Sequence, residues 1–166
     1  MKLTLQEQKQ LDTLLQKYRN DTKVLEMKKY IQHGSISTYD HVESVTRVCY
    51  WLNRRLHLGA NERILVAGAF LHDFYLYDWH TDSEGLHGFY HPGIACRNAV
   101  NHFHINEHVQ NIIRSHMWPL TFTVLPLCRE AWIVCMADKY ISTKETLLPP
   151  HPSGEVAPGF PGRLAR

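Results

Sequence analysis

Apolar residues recur at helical spacing near the start of the chain, directly after a capping pattern. Thr4 and Glu7 form the pair typical of a capping box, and Leu11, Leu14 and Leu15 follow on one helical face. The sequence therefore predicts an amphipathic first helix that begins after Thr4.

A second, shorter helix is predicted from the next apolar positions. Asn20 and Asp21 can cap it, Val24, Met27 and Ile31 lie on one face, and Gly34 ends it. This helix pair could either pack on the rest of the protein or form a contact between subunits. Both arrangements are compatible with the pattern.

Two longer helices follow. The first starts at Ser37 or Thr38 and ends before Gly59, and its apolar face is formed by Val45, Val48, Cys49, Leu52 and Leu56. Asn61 caps the next helix, which runs as far as His72.

The helical periodicity fails between Tyr75 and Tyr90, where aromatic and polar residues alternate without a regular repeat. A loop of this length in a compact domain is usually functional. The sequence His91-Pro92-Gly93 then predicts a helix start, with proline in the first turn.

Two further helices complete the pattern. Asn106 caps one of them, and Pro119 ends it. Pro126 can start the last helix, which extends to about Leu147. This helix is apolar on nearly all sides, so we expect it to be the central buried helix.

The pattern as a whole predicts an all-α protein, a compact helical bundle without strands of any strength. We expect an N-terminal helical extension over residues 1–34 and a helical domain over residues 35–148. Proline and glycine dominate residues 149–166, so we expect that tail to be disordered.

Composition restricts the class of protein. A chain of 166 residues with 44% hydrophobic and 20% charged residues is typical of one soluble domain. A net charge of +2 gives no reason to expect nucleic acid or membrane binding. The polar N-terminus does not resemble a signal peptide, so we expect a cytoplasmic protein whose four cysteines are free.

Histidine and aspartate at buried positions are the candidates for chemistry. His72 and Asp73 adjoin at the end of an apolar helix, His41 shares the inner face of another, and Asp138 lies inside the most apolar helix. A buried carboxylate is costly without a positive partner. A metal ion would remove that cost, because imidazole and carboxylate groups both ligate transition metals.

His91 and His116 lie at helix ends and extend this set to four histidines and two aspartates. Six such groups are enough to hold two metal ions if Asp73 bridges them. Each of the two histidines could instead be a helix-terminal residue bonded to the backbone.

The order His41…His72-Asp73…Asp138 resembles the HD-domain superfamily of metal-dependent phosphohydrolases over roughly residues 35–147. With His91 and His116 the chain is similar to the members that hold two metals in an all-helical bundle. Some of those members carry a glycine and a lysine after the aspartate, whereas this chain continues as Phe74-Tyr75-Leu76.

The resemblance implies that a metal-activated water hydrolyses a small phosphorylated substrate, a phosphomonoester or phosphodiester such as a nucleotide. His41, His72, Asp73 and Asp138 would form the first metal site, and Asp73 would bridge to a second site at His91 and His116. One or two divalent transition metals are implied: iron or manganese first, with zinc, cobalt, nickel or magnesium as alternatives. Two other functions remain open: a di-iron oxygenase, and a non-catalytic metal-stabilised module that binds nucleotides.

Two residues outside the ligand set are further candidates for catalysis alongside Asp73. Lys139 follows Asp138 and could contact a phosphate or pair with Asp73, or it could be a solvated lysine. His80 in the aromatic loop could be a general acid, as could His87, although loop histidines are often merely exposed. The sequence does not specify the oligomeric state, so an oligomer stays possible.

Overall fold

The computed structural model describes residues 2–82 and 86–147 and is mainly helical. The helices are α1 (Leu5–Arg19), α2 (Thr22–Glu26), α3 (Thr38–Arg55), α4 (Glu62–Leu71), α5 (Trp79–Asp82), α6 (His87–Phe103), α7 (Glu107–Ser115) and α8 (Arg129–Leu147). A 3-10 turn (Met27–Lys29) and a hairpin of two short antiparallel strands, β1 (Ile31–His33) and β2 (Ile36–Ser37), lie between α2 and α3. The all-α prediction is confirmed. The predicted tail, residues 149–166, lies outside the described residues.

Side chains at the predicted caps start several helices. The Thr4 hydroxyl accepts from the Glu7 N–H while the Glu7 carboxylate accepts from the Thr4 N–H, so the capping box is present. Ser37, Asn61 and Asn106 accept backbone N–H bonds at the starts of α3, α4 and α7. Local sequence thus determines where these helices begin.

Helix α4 is the centre of the bundle. Every residue from Leu65 to Leu71 is buried, and the helix packs against α1, α3, α7 and α8. Gly68 allows the closest of these approaches, because a Cβ there would lie 2.6 Å from two carbons of the Ile112 side chain on α7.

Helix α8 does not have the central position that its composition predicted. One side packs on α3, α4 and α7, but Trp132, Met136 and Tyr140 are 42%, 60% and 53% exposed. Their spacing of four residues places them on one face of the helix. That face is exposed to solvent although its side chains are largely apolar.

The first 34 residues are part of the bundle. Leu11, Leu15 and Tyr18 of α1 are buried in the same core as Phe70 of α4. After α2, however, the predicted helix ends early. Ile31 begins strand β1, and Gly34 forms the turn to β2 with a positive φ of 58°.

Helix α6 begins one turn before the predicted start at His91. Its first residue is His87, and Pro92 lies inside the helix. Pro92 has no N–H for the carbonyl of Gly88, which costs one backbone hydrogen bond. The ring of His91 makes a separate contact in this turn, since its Nδ1–H donates to the carbonyl of His87 at 2.8 Å.

No helix among residues 2–82 and 86–147 combines the length and the apolar character that crossing a membrane requires.

Candidate metal centre

Two long helices and the end of a third bring the first four predicted ligands together. His41 lies in the second turn of α3, His72 and Asp73 follow the last turn of α4, and Asp138 lies in the middle of α8. All four are buried, with exposures of 0%, 0%, 2% and 6%. Each helix is held in the core by its apolar face, so the polar groups meet because the bundle packs.

One half of the centre lies on the Oδ2 side of Asp73. The Nε2 atoms of His41 and His72 lie 3.8 and 3.5 Å from Asp73 Oδ2. The same two nitrogens lie 3.2 and 3.6 Å from Asp138 Oδ1. His41, His72 and Asp138 are thus close enough together to share one metal ion.

The other half lies on the Oδ1 side of Asp73. His91 Nε2 on α6 is 3.1 Å from Asp73 Oδ1, and His116 Nε2, directly after α7, is 3.5 Å from it. The structure therefore brings all six predicted ligands into one cluster. The two oxygens of Asp73 face different pairs of histidines.

Backbone carbonyls set the orientation of three of the four imidazoles. His72 Nδ1 lies 2.8 Å from the carbonyl of Ala69, and His116 Nδ1 lies 2.7 Å from that of Ile113. His91 Nδ1 bonds the carbonyl of His87 in the same way. A carbonyl only accepts, so Nδ1 carries the hydrogen in each of the three rings. In a neutral ring Nε2 is then unprotonated, and its lone pair faces the cluster.

Two atoms of the cluster are buried without a hydrogen-bond partner among the described residues. They are His72 Nε2 and Asp73 Oδ1. Both are acceptors in the arrangement just described, and buried acceptors without a donor are costly. A cation satisfies both, so the donor set fits one or two divalent transition metals.

The electrostatics of the cluster show how strongly its carboxylates depend on nearby positive charge. Burial alone would raise the pKa of Asp73, but positive charge on His72 and His91, when their rings take a second proton, holds it well below the ordinary range. Burial alone would lower the pKa of His41, yet hydrogen bonds to Asp138 and Glu145 raise it to about 10. Burial and the nearby His91 and His72 lower the pKa of His116 to about 3.

Glu145 is a member of the site that the sequence reading missed. Its Oε2 accepts from His41 Nδ1 at 2.7 Å, and its side chain is 10% exposed. The hydrogen bond from His41 to Glu145 orients the His41 ring, as backbone carbonyls orient the other three rings. A signal was present in the sequence, because Glu145 lies seven residues after Asp138 and so shares its helical face.

Gln32 is the second member of the site that the sequence did not reveal, and it lies in strand β1 of the hairpin. Its Nε2 donates to Asp73 Oδ2 at 2.7 Å, while its Oε1 accepts from the hydroxyl of Tyr75. Thr38 adds a further hydroxyl beside that carbonyl oxygen. Because a carboxylate only accepts, the Asp73 contact fixes which end of the amide faces it. No helical periodicity could reveal this contact, because residue 32 was predicted to be in a helix.

The two remaining catalytic candidates lie in different positions. Lys139 lines the cavity beside the cluster, and its Nζ donates to the carbonyl of His116 at 2.9 Å. His80 is 46% exposed, stacks on Trp79 and bonds Asp78, and it does not line this cavity. The structure thus brings Lys139 to the centre but not His80.

His87, the other loop histidine, does line the cavity. Its ring stacks on His91 with centroids 4.4 Å apart, and its Nδ1 lies 2.9 Å from the Tyr77 hydroxyl. Burial and the neighbouring His91 lower the pKa of His87 to about 4, so the ring is neutral at neutral pH. A neutral ring can offer a hydrogen bond but is a poor source of a proton.

Comparison with known proteins gives one match. A family model described as HD domain matches residues 38–143. No curated protein and no solved structure matches the chain significantly. All six clustered residues lie within the matched range, whereas Gln32 and Glu145 lie outside it.

Proposed function

This chain belongs to the HD domain family, and we propose that it is a metal-dependent phosphohydrolase that uses a metal-activated water. The family is typically hydrolytic. The observation that carries the proposal is the position of Asp73, whose oxygens face His41 and His72 on one side and His91 and His116 on the other. A carboxylate in this position can bridge two ions.

We assign two adjacent sites on this geometry. His41, His72 and Asp138 would hold one ion with Asp73, and His91 and His116 would hold the second with Asp73. Iron or manganese is the expected metal, and zinc, cobalt, nickel and magnesium are alternatives. Ions bound there would supply hydroxide at neutral pH and stabilise negative charge on phosphorus-bound oxygens.

The protein's own groups contribute orientation and charge. The carbonyls of Ala69, His87 and Ile113 hold three rings with Nε2 towards the centre. Gln32 fixes the Asp73 carboxylate by donating to Oδ2. Such outer contacts set the position and basicity of the ligands.

Lys139 is the proposed electrostatic contact for the substrate phosphate. Its ammonium lines the cavity and is tethered by the His116 carbonyl, so its charge has a fixed place. His80 keeps no role in this proposal, because it lies outside the lining of the cavity.

The test is turnover by metal-loaded protein. Chain purified without an affinity tag is stripped of metal, reloaded separately with Fe²⁺, Mn²⁺, Zn²⁺, Co²⁺, Ni²⁺ or Mg²⁺, and assayed against phosphomonoesters and phosphodiesters. We expect phosphate release with at least one metal. We also expect a loss of more than about a hundredfold in Asp73→Ala, since mutations even of outer-shell partners cost 10- to 100-fold.

Two results would contradict the proposal. The first is no release with any of the six metals. The second is oxygen consumption by the iron-loaded protein without hydrolysis, which would identify an oxygenase. Lys144→Ala is a suitable control variant, because Lys144 is an exposed residue of α8 outside the cluster.

A further inference from the structure

The cavity at the metal centre is much larger than a phosphate group. Its volume is about 640 Å³, and Asp73, His91, His116 and Asp138 lie along its wall. Pockets that bury whole small molecules have volumes of roughly 300–1,000 Å³. The cavity therefore has room for the organic part of a substrate as well as for its phosphate.

One wall of the cavity is apolar and aromatic. Met117, Pro119 and Leu120 approach the start of α6, where Gly88 has no side chain to keep them away. A Cβ on Gly88 would lie 2.9 Å from Leu120 Cδ2 and 3.4 Å from Met117 Cε. The absence of that atom allows the wall to close against the helix.

Aromatic rings extend this wall. The rings of Trp79 and His87 stack with centroids 5.0 Å apart, and His87 in turn stacks on His91. The stack leads from the cavity wall to a proposed metal ligand. Flat apolar surface beside a phosphate site favours a flat or apolar organic group over a strongly hydrated one.

Positive charge in the cavity is scarce. Among the described lining residues, Lys139 is the one lysine, and none is an arginine. Its Nζ already donates to the His116 carbonyl at 2.9 Å and lies 3.4 Å from that of Cys135. Sites for polyphosphates use several cations, since every added phosphate brings negative charge that needs a partner.

Resting on the phosphohydrolase function proposed above, we infer that the substrate carries a single phosphate on an uncharged organic group with apolar or aromatic surface. The metal centre and Lys139 take the phosphate, and the wall around Leu120 takes the organic group. A second or third phosphate would lie against Trp79, Met117 and Leu120 without a cation.

The first test compares phosphate release from substrates that differ in one property. Adenosine 5′-mono-, di- and triphosphate share an organic group and differ in charge. We expect kcat/KM to be at least about tenfold higher for the monophosphate, although a phosphoanhydride is the more labile bond. Phenyl phosphate and glycerol phosphate differ in the organic group, and we expect phenyl phosphate to be favoured about tenfold.

A charge placed on the wall should shift this preference. Leu120 is 44% exposed, so Leu120→Lys should fold and raise the ratio of diphosphate to monophosphate turnover by about three- to fivefold, the scale of an exposed ion pair. Leu127→Lys is the matched control, because Leu127 is 78% exposed and does not line the cavity. It should leave the ratio unchanged.

Preference for the di- or triphosphate, or equal turnover of phenyl and glycerol phosphate, would overturn the inference. If no phosphate ester is hydrolysed, the phosphohydrolase proposal fails separately. The inference is then decided by Tm of the metal-loaded protein, because a bound ligand raises Tm. Adenosine monophosphate should raise Tm more than the triphosphate at equal concentration, and the reverse order would refute it.

Discussion

His91 Nε2 lies 2.8 Å from His116 Nε2 in the cluster around Asp73. Since both Nδ1 atoms donate to backbone carbonyls, both Nε2 atoms are unprotonated unless one ring takes a second proton. The two nitrogens are therefore adjacent and could both ligate the one ion assigned to them.

The first prediction concerns metal stoichiometry. We expect two metal ions per wild-type chain and one in His91→Ala, because the site on the Asp73 Oδ2 side keeps His41, His72 and Asp138. Plasma mass spectrometry on protein purified without air measures this directly. His102→Ala is the control, since His102 pairs with Asp21 outside the cluster. Wild-type metal content in His91→Ala would show that His91 is not a ligand.

The second prediction concerns the pairing of Glu145 with His41. Glu145→Ala leaves His41 Nδ1 without its acceptor, and we expect metal affinity to fall by about 10- to 100-fold. Glu145→Gln keeps an oxygen that can accept and should recover part of that loss. Competition with a fluorescent chelator gives the affinities, and Lys144→Ala is the control. Equal affinity in Glu145→Ala and wild type would leave Glu145 with a packing role only.

The third prediction concerns the contact between α4 and α7. Gly68→Ala puts a carbon 2.6 Å from the Ile112 side chain in the centre of the core, which we expect to lower the free energy of unfolding by about 1–3 kcal/mol. Urea denaturation measures the change.

Gly93→Ala is the matched control for that substitution. Gly93 is also helical, but the nearest atom to an added Cβ is Arg97 Nη1 at 4.0 Å. Alanine loses less conformational entropy than glycine when a helix folds, so the free energy of unfolding of this variant should rise by about 0.5–1 kcal/mol. Destabilisation of both variants to the same degree would contradict the steric explanation.

The fourth prediction concerns pH. The hydrogen bond from Arg55 lowers the pKa of Glu7 from 4.5 to about 2 in the folded protein. A carboxyl with a lowered pKa stabilises the fold above its unfolded pKa and loses that effect as pH falls through its folded pKa. The stability difference between wild type and Arg55→Met should thus be constant above about pH 5 and shrink as the pH falls towards 2.

Urea midpoints across this range provide the measurement. Arg63→Met is the control, because Arg63 is exposed and forms no ion pair in the part of the chain that the structure describes. A difference that persists unchanged down to pH 2 would mean that Arg55 stabilises the protein by packing alone.

Local sequence signals were sufficient for most helix starts and for the six clustered residues. Ser37, Asn61 and Asn106 act within one turn of their own positions, so a pattern of neighbours reveals them. His72, Asp73 and Asp138 were recognisable because a polar group inside an apolar helix needs a partner.

The features that the sequence did not predict have a common physical cause, since each depends on contacts between residues that are distant in sequence. Gln32 reaches Asp73 through a hairpin whose pairing is not visible in a helical pattern. Helix α8 leaves Met136 and Tyr140 exposed, although its composition gives no polar side.

The hairpin of β1 and β2 contributes to the cavity separately from the helices that carry the clustered residues. Gln32 and His33 reach the cavity from a stretch that precedes the family-matched range, while the clustered histidines and aspartates lie inside it. A substitution at His33 would therefore change the lining of the cavity without replacing a proposed metal ligand, whereas one at Gln32 would also remove the hydrogen bond to Asp73. The hairpin is thus a place where the shape of the cavity can change separately from the six clustered side chains.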